Sequence, residues 1–112
     1  MSDCIFCKIA AGEIPSNKVY EDNKMICFKD LNPQCEVHVL AVPKEHIESA
    51  NMITKDNAEL IGHIFAKIPE IAKSLNISDY RIINNCGEKA GQTVKHLHFH
   101  ILSGDNLGER LV

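Results

Sequence analysis

The chain has no run of lysine or arginine, and its net charge is −3 over 112 residues. General affinity for nucleic acid or for an anionic membrane surface needs a basic patch, so neither partner is expected. No apolar stretch approaches the roughly 20 residues of a membrane-crossing helix. The opening MSDCIFCKIA has neither the basic start nor the long apolar segment of a signal peptide, so a cytoplasmic location is expected. The cysteines are odd in number, five, which argues against a disulfide framework. Cys27, Cys35 and Cys86 read as small buried hydrophobes. Internal repeats, low-complexity tracts and the Gly-Lys-Ser/Thr of a nucleotide-binding P-loop are missing as well.

What is present suits one domain over residues 1–112. Apolar residues make up 45% of the chain, enough for a core, and 24% are charged. DCIFCKIAAGE predicts a short helix ending at Gly12. KVYED and KMICFKD predict two strands joined by a turn near Asp22-Asn23, and EVHVLAV a third that ends at Pro43. Leu60, Ile61, Ile64, Phe65, Ile68, Ala72 and Leu75 recur at helical spacing and predict a long helix after Thr54, kinked or broken at Pro69. His63 falls on its polar face and reads as a solvated residue. DYRIINN and HLHFHIL complete five short strands. The pattern predicts an α+β fold, a five-stranded antiparallel sheet with the long helix and a short N-terminal helix packed on one face.

Three of the six histidines lie in KHLHFHILSG, at positions 96, 98 and 100. In an extended segment they share one face, and Leu97, Phe99 and Ile101 share the other. Clustered imidazoles serve metal binding or phosphorus chemistry. A neutral imidazole is a nucleophile near pH 7, and neighbouring rings can hold an anion and protonate a leaving group. The preceding loop, NCGEKAGQTVKH, places Gly87, Gly91, Gln92 and Thr93 beside the histidines, as one wall of a phosphate site would require. Cys4-x-x-Cys7 is a zinc half-site or a redox pair. The thioredoxin-like layout that a redox pair needs is absent, and a zinc site needs two more ligands from His38, His46, His63, His96 and His100.

HLHFHIL resembles the signature of the histidine triad family, in which three histidines alternate with apolar residues. IFCKIAAGEIPSNKVYED, CFKDLNPQCEVHVLAVPKEHI and INNCGEKAGQTVKHLHFHILSG are similar to three successive regions of its Hint branch, so the resemblance covers nearly the whole chain. It implies a dimeric enzyme acting at the α-phosphate of nucleotides, and for the Hint branch cleavage of the P–N bond of purine nucleoside phosphoramidates (AMP or GMP derivatives). Carried onto this sequence, it implies His98 as the nucleophile, His100 as phosphate contact and leaving-group acid, and His38 as completing the cluster. Asn85, Gly91 and Thr93 would hold the α-phosphate and ribose side, with threonine where the family more often has serine, and Gln92 of the same loop adds a neutral donor. Asp30 would hold the ribose hydroxyls, and Phe6, Ile14, Phe28 and Leu31 would form the base slot. The resemblance to zinc-containing bacterial members implies a structural zinc, one per chain, at Cys4, Cys7, His46 and His96.

A nucleotide-binding regulatory or scaffold protein with incidental hydrolysis is the alternative function, and the intact His98 weighs against it. A protein using all the histidines as metal ligands is disfavoured by the phosphate-type loop. A homodimer is expected, its two sheets joining through the RIINN edges into ten strands.

Overall fold

The structure, a computed structural model, describes residues 3–105 and 107–108. Helix α1 spans Ile5–Ala10, strands β1 and β2 Lys18–Glu21 and Met25–Lys29, and β3 Val37–Pro43. Helix α2 spans Ala58–Ser74, and β4 and β5 are Arg81–Ile83 and Phe99–Ser103. They form one sheet in the order β1-β2-β3-β5-β4, antiparallel at every pairing. Among the described residues no helix is long and apolar enough to cross a membrane.

Strand β2 is apolar on both parities, and the sheet is covered on both sides. On one face Met25, Cys27, Val39, Ala41, Phe99 and Ile101 pack under Ile64, Ile68 and Ile71 of α2. On the other, Ile26, Phe28, Leu40 and Val42 pack under Phe6 and Ile9 of α1. The expectation that both helices share one face is therefore corrected: α1 covers the face that also carries the histidines. Each buried aliphatic or aromatic side chain contributes about 1.5–3 kcal/mol, so even this small second layer anchors α1 firmly.

Helix α2 runs through Pro69 without ending there. The ring removes one backbone donor, and the buried stripe of Ile64, Ile68, Ile71 and Ala72 holds both halves on the sheet. Cys27 is fully buried, which pushes its thiol up to about 12, whereas Cys35 and Cys86 are only half-buried.

His63 is not the solvated residue its helical position suggested. Its Nε2–H donates to Asp22 Oδ2 at 2.7 Å, tying α2 to the β1–β2 turn. Asp22 also accepts from the Tyr20 hydroxyl (2.7 Å) and from the amides of Lys24 and Met25. Partial burial pushes the Asp22 carboxyl up, but these hydrogen bonds outweigh it and hold it below the usual carboxylate range. The same bond pushes the Tyr20 hydroxyl up to about 12.

Strand β5 is shorter than HLHFHIL. The β3 ladder stops at Ala41–Phe99 and the β4 ladder at Ile83–His100, so His96, Leu97 and His98 lie just beyond the sheet. They are held individually: the Leu97 amide donates to Ile47 O at 2.6 Å, and Asn84 Nδ2 donates to His98 O at 2.9 Å.

Candidate active site and metal centre

His96 and His98 are buried and His100 half-buried. A buried imidazole must place both ring nitrogens, and each partner here reports the tautomer. His98 Nδ1 lies 2.7 Å from the carbonyl of His96. A carbonyl only accepts, so Nδ1 carries the hydrogen and Nε2 holds the lone pair. The ring packs edge-on against Phe6, centroids 5.1 Å apart, and lies as close to the ring of His100.

His38 and His100 form a directed chain. The amide of Gln34 donates to His38 Nδ1 at 3.1 Å, so a neutral His38 carries its hydrogen on Nε2. That nitrogen lies 2.9 Å from His100 Nδ1 and 3.4 Å from Asp30 Oδ2. His100 therefore accepts at Nδ1 and keeps its own hydrogen on Nε2. Burial, with help from His98 and His38 and against the pull of Asp30, pushes His100 down to about 4. Burial also lowers His38, again opposed by Asp30.

Asp30, His38 and His100 bring three ligand-type atoms within 4.8 Å of one another, the composition of a two-histidine, one-carboxylate metal site. The hydrogen bonds point elsewhere. A metal on His38 Nε2 would displace the only ring proton while Gln34 still donates to Nδ1, leaving an imidazolate. The arrangement suits passing a proton along a line.

His98 and His100 open onto a cavity of about 250 Å³ whose walls include Phe6, Ile14, Phe28, Asp30, Leu31 and Thr93. Phe6, Ile14, Phe28, Leu31 and Asp30, the expected base and ribose contacts, thus share one cleft with two of the triad histidines, whereas Asn85 and Gly91 are not among its walls. Leu31 stands at its edge with 90% of its surface exposed. Asp30 also caps the following turn, accepting from the amide of Asn32 at 2.8 Å.

In the adjoining loop Gly87 and Gly91 have φ of +95° and +97°, backbone that other residues adopt only with strain. A side chain at Gly91 would point at Asn85, whose amide lies 3.8 Å from the site of its Cβ. Gln92 departs from the expectation of a donor facing the nucleotide. Its side chain is buried, with Oε1 accepting from the Gly87 amide and Nε2 donating to Glu48 O and Val94 O. These bonds close the loop and tie it to Glu48.

At the other end of the histidine run, Cys4, Cys7, His46 and His96 place one ligand atom each within 4.8 Å of the others and could hold a metal ion. His96 Nε2–H donates to Pro43 O at 2.8 Å, which turns the Nδ1 lone pair inward. It meets Cys4 Sγ at 3.2 Å, Cys7 Sγ at 3.5 Å and His46 Nδ1 at 3.2 Å. Cys4 caps α1 by accepting from the Cys7 amide, so the helix start sets the spacing of the two sulfurs. Burial and the neighbouring Cys4 push the Cys7 thiol up, so ion binding there must displace a proton.

Sequence patterns gave no sign of Asn84, the Pro43 carbonyl or the Gln34 amide, because main-chain partners and neighbours beyond a strand end leave no mark in residue type.

Residues 3–110 match the family model described as scavenger mRNA decapping enzyme C-term binding. Among curated proteins, the chain is 47% identical over 103 residues to Protein HitA of Neisseria gonorrhoeae, covering 91% of this chain and 96% of that one. Among solved structures it resembles a histidine triad protein from Clostridium difficile, with a TM-score of 0.94, 50% identity, and 97% and 96% of the two chains covered. A HIT family hydrolase from Legionella pneumophila superposes with a TM-score of 0.91 at 38% identity, over 95% of this chain and 96% of that one.

Proposed function

The chain belongs to the histidine triad family, and we propose that it is a purine nucleoside phosphoramidate hydrolase that works through a covalent nucleotidyl-His98 intermediate. The observation that carries this is the 2.7 Å bond between His98 Nδ1 and the His96 carbonyl, which leaves Nε2 free for attack, with the ring in the wall of the cleft of about 250 Å³. The base sits among Phe6, Ile14, Phe28 and Leu31, and Asp30 takes the ribose hydroxyls. Asn85, Gly91 and Thr93 hold the α-phosphate, with Gln92 bracing the loop they stand on. His98 Nε2 attacks phosphorus and the P–N bond breaks. The His38–His100 pair, charged by one proton once the anionic phosphate is bound, gives that proton from His100 Nε2 to the departing amine. Water then attacks phosphorus and returns a proton to His100, the P–Nε2 bond breaks, and the nucleoside monophosphate leaves. The His98 Nδ1 proton stays on the His96 carbonyl throughout and steadies the positive ring of the intermediate.

Cys4, Cys7, His46 and His96 hold a structural zinc. Tetrahedral coordination with Zn–S near 2.3 Å and Zn–N near 2.0–2.1 Å separates ligand atoms by about 3.3–3.8 Å, close to the 3.2–3.5 Å found here. Four protein ligands close the shell, so the metal fixes structure and takes no substrate. The protein is a cytoplasmic homodimer. Strand β4 is an edge with Ile82 exposed, and Phe65 of α2 is exposed beside Phe99. Two copies joined along β4 give ten strands and cover both residues.

Turnover of adenosine 5'-phosphoramidate by the purified protein tests the activity. Tight AMP binding without turnover would favour the regulatory alternative. Sedimentation at micromolar concentration tests the dimer, and a single species of chain mass overturns it.

A further inference from the structure

We infer that Asn84 is a positioning residue for the nucleophile, an assignment that rests on the role given to His98 above. His98 stands just outside the sheet, past the last rungs at Ala41–Phe99 and Ile83–His100. Its carbonyl has no strand partner on the β4 side. Asn84, the first residue after β4, takes that place with its side chain, Nδ2–H donating to His98 O at 2.9 Å. The ladder is thus extended by one rung made from a side chain.

The consequence falls on the ring. The Asn84 bond fixes the peptide plane on the C-terminal side of His98, and the bond from Nδ1–H to His96 O fixes the imidazole on the N-terminal side. With main chain and ring both held, Nε2 has one direction in which to present its lone pair. Asn84 gives its side-chain amide to the His98 carbonyl and is not among the residues lining the cavity, so its loss should disturb attack more than ground-state binding. A reacting atom misplaced by about 1 Å can cost on the order of 10²-fold in rate.

The test compares Asn84→Ala with the isosteric Asn84→Asp, beside the wild type and His98→Ala. For both Asn84 variants kcat on adenosine 5'-phosphoramidate should fall about 10–100-fold, with KM and AMP affinity within about twofold. Asn84→Asp should fall at least as far as Asn84→Ala, because it keeps the shape but sets a carboxylate oxygen against a carbonyl. Imidazole nitrogen–proton correlation spectra should show the His98 ring, identified by its loss in His98→Ala, moving from a pure Nδ1–H form toward a mixture of tautomers. Normal kcat and an unchanged His98 tautomer in Asn84→Asp would overturn the assignment and leave Asn84 as filler. Should the wild type fail to cleave the phosphoramidate, the proposed function falls, while the imidazole spectra still decide whether Asn84 sets the ring.

Discussion

The two ends of one histidine run use the same side chain in opposite senses. At one end, His96 gives its Nε2–H to the carbonyl of Pro43 and turns a bare Nδ1 toward two sulfurs and a second imidazole. At the other, His100 meets His38 of β3, which accepts the amide of Gln34 and presents an N–H to His100 Nδ1. A carbonyl behind the ring makes a lone-pair donor, and an amide behind the ring makes a proton donor. Both partners are main-chain atoms at the ends of β3, the Pro43 carbonyl on its last residue and the Gln34 amide three residues before its first. The division between a metal-type centre and a proton-type centre is therefore set by strand register rather than by residue identity.

The difference can be broken at its boundary first. His98 lies between the two ends, and His98→Ala should lower kcat by about 10⁴-fold while AMP still binds, as steady-state kinetics and calorimetry would show. Next, His38→Ala removes the hydrogen bond to His100 Nδ1 and should lower kcat by about 10²-fold, with metal content unchanged by elemental analysis. A loss of metal in that variant would mean that the two centres are one unit. The converse change, Cys4→Ser with Cys7→Ser, should bring metal from about one per chain to near zero and lower the melting temperature. It should cost kcat no more than about tenfold, because His98 keeps its own hydrogen bonds.

The smallest effect is in pH. An unfolded histidine takes up its proton near pH 6.5, whereas folded His100 waits until about 4. Between those values unfolding binds a proton, so stability falls as pH falls, and the depressed His38 adds in the same sense. Melting temperature should decline over that window, with a shallower slope for His100→Gln. An unchanged slope would show that the ring does not resist charging.

Much of the architecture could be read from alternation. The stripe of α2 declares itself by its unbroken period, and β2 and β3 as short apolar runs bounded by turn residues. The resemblance of HLHFHIL and its upstream segments nominated residues that the structure collects into two groups, Cys4, Cys7, His46 and His96 in one, and Asp30, His38, His98, His100 and Thr93 around the other. What escaped depended on distant register. His63 lies 41 residues from Asp22, and nothing in a helix pattern says which turn it will face. Both parities of MICFK are apolar, yet that cue did not reveal that α1 and α2 lie on opposite faces. The strand was drawn too long because its residues alternate from His96 to Ile101, while ladder length depends on where β3 and β4 stop. Gln92 looked like a ligand donor by residue type, and only its three internal hydrogen bonds reveal a brace.

The ligand cluster at Cys4, Cys7, His46 and His96 also has a chronology. Cys4 and His96 are 92 residues apart in the chain. A ribosome adds roughly 5–20 residues per second, so the paired thiols precede their last partner by several seconds. During that interval they are an incomplete chelate on an emerging polypeptide, open to thiol exchange and to whichever soft cation arrives first. Completion waits for the segment that carries His98, so closure of this ligand cluster and assembly of the His96–His100 strand fall at the same moment of the protein's synthesis.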